Sequence, residues 1–168
     1  MFQKMISKYL HLVSSTKSQI TIFILLNICG LTFFLLPHNI FANMLDLELF
    51  YDKETVVKNL SAMGPDGRSI YILSSLLLDT VYPILYLSLF LGAYFKLFRN
   101  SKAILLGPII AFSFDILENL QLTRLNLNFP NISETHVYLS SMTPSLKWAA
   151  IAITVSVLIY GIIKRRKK

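Results

Sequence analysis

Four ionisable side chains, Asp79, Asp115, Glu118 and Lys147, sit in or at the edge of long apolar runs. A charged group within hydrocarbon costs roughly 2.5–3.5 kcal/mol on the insertion scale, so each needs a partner or a purpose. Carboxylates gathered in a desolvated site can separate into a general acid and a general base, and Asp79, Asp115 and Glu118 are the candidate catalytic residues on that reading. Three acids against one base also make a net negative pocket, which suits a cation, a proton or a basic ligand. The third reading is plain pairing, Lys147 with Asp115 or Glu118, which holds helices in register at about 1 kcal/mol or less per polar contact.

Spacing gathers these groups further. Ser75, Asp79, Tyr82 and Tyr86 recur at i, i+4, i+7 and i+11 and form one stripe of a helix, while Asp115, Glu118 and Asn119 share a face of another. Lipid disfavours such stripes, so they should face each other or line a wet cavity. Pro83 lacks an N–H and frees the carbonyl four residues before it, that of Asp79. Tyr82, Tyr86, Asn119 and Lys147 are thus the candidate ligand-binding residues, with Arg68 or Lys147 available to hold an anionic head group and His38 and His136 as helpers near the interface. A divalent metal held by Asp79, Asp115 and Glu118 is a variant that no His-x-x-x-His or similar ligand spacing supports, and no Gly-rich phosphate loop is followed by a lysine, so the cofactor is left unknown by the sequence.

Those residues must be positioned by helices. The chain has 168 residues, 54% of them hydrophobic and only 15% charged, too little polar surface to cover a soluble globule. Apolar stretches at 20–41, 70–95, 103–122 and 146–163 are each long enough to cross about 30 Å of hydrocarbon as a helix. The first is too long for a secretory signal, and Phe41-Ala42-Asn43 offers no small-x-small cleavage pattern, so it is expected to stay as an anchor. The expectation is an all-α membrane protein, a four-transmembrane-helix antiparallel bundle formed by residues 1–168 as a single domain. Its outer loops are 42–69 and 123–145.

Charge gives the orientation. Lys4, Lys8 and Lys17, then Lys96, Arg99 and Lys102, then the run Lys164 to Lys168 lie in segments without acids, whereas Asp46, Glu48, Asp52, Glu54, Asp66 and Glu134 lie in the alternate segments. By the positive-inside rule both termini are cytoplasmic, in a plasma or cytoplasmic membrane. The net charge of +7 therefore reflects membrane topology, and no aromatic-interleaved basic face points to nucleic acid. The lone Cys29 excludes an intrachain disulfide and sets aside the four-helix quinone-linked disulfide oxidoreductases, which need a Cys-x-x-Cys pair.

The connections carry detail. A turn near Arg99-Asn100-Ser101 makes spans two and three antiparallel neighbours. Asp52 caps a short amphipathic helix over Lys53 to Met63 that lies at the outer interface like a lid and ends at Gly64-Pro65. Gly64 to Arg68 reads as a tight turn feeding the second span. The stretch from Thr123 to Met142 reads as irregular, with Thr143-Pro144 as cap and first residue of the fourth span. Trp148, Tyr71 and Tyr138 fit an outer aromatic belt, and Phe2 to Val13 fits an amphipathic helix on the inner surface.

Three functions fit this reading: a membrane protein binding a lipid-like or cationic ligand in an acidic pocket in the outer half of the bilayer, an intramembrane enzyme acting on a lipid or amphiphile, or an accessory subunit. A four-span unit without a repeat is small for transport alone, so a carrier would form a homo-oligomer or join a membrane complex.

Overall fold

The computed structural model describes residues 2–98 and 103–166. Its elements are helices: α1 (Phe2–Ser14), α2 (Thr16–Phe34), α3 (Lys53–Leu76), α4 (Leu78–Leu97), α5 (Leu106–Leu127) and α6 (Glu134–Arg166), with short 3-10 turns at Phe41–Asn43, Leu45–Leu47 and Ala103–Leu105. No strand occurs among the described residues. Three helical stretches are long and apolar enough to cross a membrane: α2, the α3–α4 pair and α6. The turn expected near Arg99-Asn100-Ser101, together with Lys102, Lys167 and Lys168, lies outside the described residues.

Packing is organised around α4, which lies against α1, α2 and α5, while α5 and α6 pack along each other. Large apolar side chains such as Phe23, Ile24, Ile28, Leu31 and Phe34 stand exposed along α2, of whose apolar window only 11% is buried. That is the surface of a helix whose solvent is lipid. The buried apolar core lies at one end: Ile40, Leu45, Val56, Leu60, Met63, Tyr71, Leu122, Leu125 and Val137 form one cluster.

Amphipathic α1 folds back along α4, burying Leu10 and Val13, while Met5, Ile6 and Leu12 stay exposed. Gln19 Nε2 donates to the carbonyls of Val13 at 2.6 Å and Leu89 at 3.2 Å, tying the α1–α2 corner to α4.

Helix boundaries differ from the sequence expectation at four places, each with a local cause. First, α2 stops at Phe34 rather than 41, because Pro37 cannot continue it and His38 and Asn39 take positive φ. Second, Asp52 does cap α3, accepting the Thr55 N–H at 2.8 Å, but the helix resumes at once beyond Gly64. Gly64 adopts φ 68, ψ 177, a region open essentially to glycine alone, and Pro65 then starts the next helical segment. The expected tight turn over Gly64 to Arg68 is therefore a one-residue kink, and Val56, Leu60 and Met63 pack into the core.

Third, the second apolar stretch is broken at Leu77, between α3 and α4, a position with no glycine or proline to signal it. Fourth, α5 runs on to Leu127 and α6 begins at Glu134, so much of 123–142 is helical rather than irregular. Ser133 caps α6 by accepting the His136 N–H at 3.2 Å, and Pro144 lies inside the helix. A proline within a membrane helix is tolerated when neighbouring groups satisfy the backbone it disturbs.

Candidate functional site

Around the break at Leu77, backbone carbonyls are served by side chains. The Thr80 hydroxyl donates to Ser75 O at 3.5 Å, and the Cys29 thiol donates to Leu78 O at 3.7 Å. Pro83 leaves the Asp79 carbonyl free, as its position dictates. Asn119 Nδ2 fills that place at 2.5 Å, joining α5 to α4 across forty residues of sequence.

The ionisable groups converge at this point. Lys147 Nζ of α6 lies 2.5 Å from Glu118 Oε2 and 3.5 Å from Asp115 Oδ1, and it donates to the backbone carbonyl of Asp46 at 3.5 Å. Tyr86 donates its hydroxyl to Asp115 Oδ2 at 2.9 Å. Glu118 is fully buried, with Oε1 lacking a partner among the described residues. The expected pairing of Lys147 with Asp115 or Glu118 is present, and it engages both.

Asp46 is the member that sequence reading missed. It follows Met44 and Leu45, both buried, on the segment that folds from the end of α2 into the apolar core. Tyr71 accepts the Leu45 N–H at 3.2 Å and donates to Asp46 Oδ1 at 3.0 Å. Burial pushes the Asp46 carboxyl above its ordinary range, against the lowering influence of Lys147 and of the Tyr71 hydrogen bond. The available signal was the apolar run Ile40, Phe41, Met44, Leu45 and Leu47: a loop so rich in large apolar residues must bury itself, and it carries Asp46 along. Tyr71 is fully buried and does not join an aromatic belt, whereas Trp148 and Tyr138 are exposed.

Asp79 differs from the other three carboxylates. It is 7% exposed, and its side chain accepts no hydrogen bond and makes no ion pair among the described residues. It faces a cavity of about 550 Å³. The polar wall of that cavity is Asp46, Asp79, Tyr82, Tyr86, Asp115 and Lys147, with Asn27 of α2, whose amide donates to Phe23 O at 2.7 Å, on the other side. The remaining walls are apolar, chiefly Phe23, Leu26, Leu31 and Phe34 of α2, Leu89 and Phe90 of α4, and Trp148 and Ile151 of α6. Since α2 and α6 make no extensive contact with each other, the cavity occupies the cleft between them. Tyr82 packs edge-on against both Phe33 and Tyr86, with ring centroids 6.1 Å and 6.2 Å apart, so aromatic surface continues the polar wall.

The structure thus brings together Asp79, Asp115, Tyr82, Tyr86 and Lys147 at one cavity, with Glu118 and Asn119 immediately behind its wall. It leaves Arg68 and His38 elsewhere. Arg68 donates to Leu60 O at 3.1 Å and stacks over Phe129 at 4.3 Å, fixed to the α3 kink and the α5–α6 connection. His38 is exposed in a left-handed turn beside Gly67. Ionisable character and nearness to the interface, which single them out in the sequence, say nothing of how the intervening loop folds. His136 is half-buried at the start of α6 and does not line the cavity.

Comparison of the chain with protein-family models, with curated proteins and with solved structures gives no match. What the arrangement can do must follow from its chemistry: a buried carboxylate without a donor, a second carboxylate held by a tyrosine and a lysine, and an apolar cleft leading to both.

Proposed function

We propose that this chain is a four-span membrane protein, an antiparallel bundle with both termini cytoplasmic, whose acidic pocket in the outer half of the bilayer binds a cationic, lipid-like ligand. The fourth span is α5, which is 22 residues long and carries the polar face of the site.

One observation carries the ligand reading. Asp79 is buried without a donor at the wall of the 550 Å³ cavity, while Asp46, Asp115 and Glu118 each have one. Lys147 is a single positive charge shared between Asp115 and Glu118, so the pocket retains a net attraction for cations. A buried carboxylate without a partner either takes up a proton or pairs with a cation, and on this reading an incoming cation displaces the proton. The apolar walls from α2 and α6 then take the hydrocarbon part of the same molecule. Pockets of roughly 300–1,000 Å³ with mostly apolar walls and a few polar groups are typical of small-ligand sites.

The test is binding of amphiphiles that share a twelve-carbon chain and differ only in head-group charge, by the purified protein in nanodiscs. The cationic member should raise the unfolding temperature and bind at least tenfold more tightly than the neutral or sulfate-bearing members. Asp79→Asn should abolish that difference. Equal binding of all three head groups, or an unchanged preference in Asp79→Asn, would remove the reading. Chemical conversion of a bound amphiphile, lost in Asp79→Asn and Asp115→Asn, would replace it with an intramembrane enzyme.

A further inference from the structure

The donor inventory of the pocket narrows the cation. We infer that the ligand is a single-chain amphiphile with a protonated primary amine, a head group that donates hydrogen bonds, rather than a quaternary ammonium. This inference rests on the cationic-ligand reading above and specifies its substrate class.

A carboxylate out of water needs two things: a compensating charge and donors for its lone pairs. Among the described residues no side chain donates to the Asp79 carboxylate or pairs with it, although the Tyr82 hydroxyl lines the same cavity. Asn119 spends its amide on the backbone carbonyl of Asp79, Tyr86 donates to Asp115, and Lys147 is committed to Glu118, Asp115 and the carbonyl of Asp46. A primary ammonium brings three N–H donors and one charge, the same inventory as a lysine side chain. It would pair with Asp79 as Lys147 pairs with Glu118 Oε2. A trimethylammonium brings the charge and no donor. It is held best by an open aromatic cage, in which ring faces surround the cation. Beside Asp79, Tyr82 meets Phe33 and Tyr86 edge to face at 86° and 74°, and the Trp148 ring already faces Lys147 Nζ at 5.5 Å, so the rings nearest the carboxylates are engaged with protein partners.

Size points to one chain. A cavity of about 550 Å³ lies within the range of sites that take a single drug-sized molecule. Gly30 widens the cleft on the α2 side: a Cβ there would sit 3.5 Å from the Tyr82 ring, so an alanine fits and a leucine side chain would project into the cavity.

The experiment is an N-methylation series measured on the full chain in nanodiscs: dodecylamine, its N-methyl and N,N-dimethyl derivatives, and dodecyltrimethylammonium, all cationic at pH 7. Affinity should fall stepwise as N–H donors are removed, by at least tenfold from the first member to the last. Asp79→Asn should flatten the series. Gly30→Leu, which leaves every carboxylate in place, should weaken all four members together, and it keeps the inference testable where Asp79→Asn does not fold. If dodecyltrimethylammonium binds as tightly as dodecylamine, and both depend on Asp79, the amine inference is overturned while the cationic-ligand reading stands. Binding that neither Asp79→Asn nor Gly30→Leu alters overturns both.

Discussion

Asn119 shows how a single side chain links sequence to site. Pro83 removes the N–H that would have bonded the Asp79 carbonyl, and Asn119 on a different helix supplies the replacement. A buried carbonyl left without a donor costs about 1–3 kcal/mol. Asn119→Leu should therefore destabilise the protein, toward the lower end of that range because Asn119 Oδ1 is itself unpartnered and is lost with it. In a Pro83→Ala background the new N–H can serve the carbonyl from within α4, so the same substitution should cost about 1 kcal/mol less. Unfolding free energies of the four proteins in bicelles give this coupling. An identical cost in both backgrounds would mean that Asn119 stabilises something other than that carbonyl. At this scale much of the site was legible. Asp79, Asp115, Glu118 and Lys147 stand out because ionisable residues in apolar runs have few reasons to be there. Asp46 was less legible, since it belongs to a segment with several other acids and only the apolar run around Met44 and Leu45 sets it apart from them.

The helices were legible where apolar length decides them and illegible where a local rule has two outcomes. Thr143-Pro144 resembles the start of a helix, yet α6 begins well before Pro144, at Glu134, because proline also sits inside helices when the surrounding protein serves the freed backbone. Thr143 contributes to that surrounding protein by donating its hydroxyl to Gln121 Oε1 at 2.6 Å, which fastens α6 to α5. Gly64-Pro65 is the converse. It reads correctly as the end of one helix, but the next starts without an intervening loop, and the change of direction rests on one residue with φ 68 and ψ 177. No atom lies within 4 Å of a Cβ built at Gly64, so the cost of Gly64→Ala is purely conformational. It should be about 1–3 kcal/mol, the usual strain of a non-glycine residue in such a region. Amide exchange should show the loss concentrated in 53–63, the segment that depends on the kink for its docking. Gly67→Ala is a contrasting change at a helical backbone, since its Cβ would meet His38 at 2.9 Å and Met63 at 3.0 Å. Were Gly64→Ala to exchange like the unaltered protein, the kink would not be needed to dock that segment.

At the scale of the whole molecule, the fold separates charge along its long axis. Lys96 Nζ reaches Thr16 Oγ1 at 3.2 Å, and a Cβ at Gly161 would meet the Phe98 ring, so the basic ends of α2, α4 and α6 share one end. Asp52, Glu54 and Glu134 share a depression elsewhere on the surface. By the positive-inside rule such a distribution supports the proposed orientation, with the basic end in the cytoplasm. The number of crossings turns on α5. Mean hydropathy alone passes over it, because Asp115, Glu118, Asn119 and Gln121 fall close together within its 22 residues. That length spans about 33 Å at about 1.5 Å per residue, enough for about 30 Å of hydrocarbon. Its polar face meets α3, α4 and α6 rather than lipid, Lys147 offsets its carboxylates, and Arg124 lies in its last turn, within reach of the interface. A helix whose charges face protein can cross a membrane without looking apolar. Single cysteines at Lys8, Ser61 and Arg165, introduced in a Cys29→Ser background, decide the matter by labelling with an impermeant maleimide in intact cells. Four crossings place Lys8→Cys and Arg165→Cys on one side and Ser61→Cys on the other, so only Ser61→Cys should label from outside. If α5 does not cross, the chain makes three crossings, and Lys8→Cys and Arg165→Cys must then label from opposite sides.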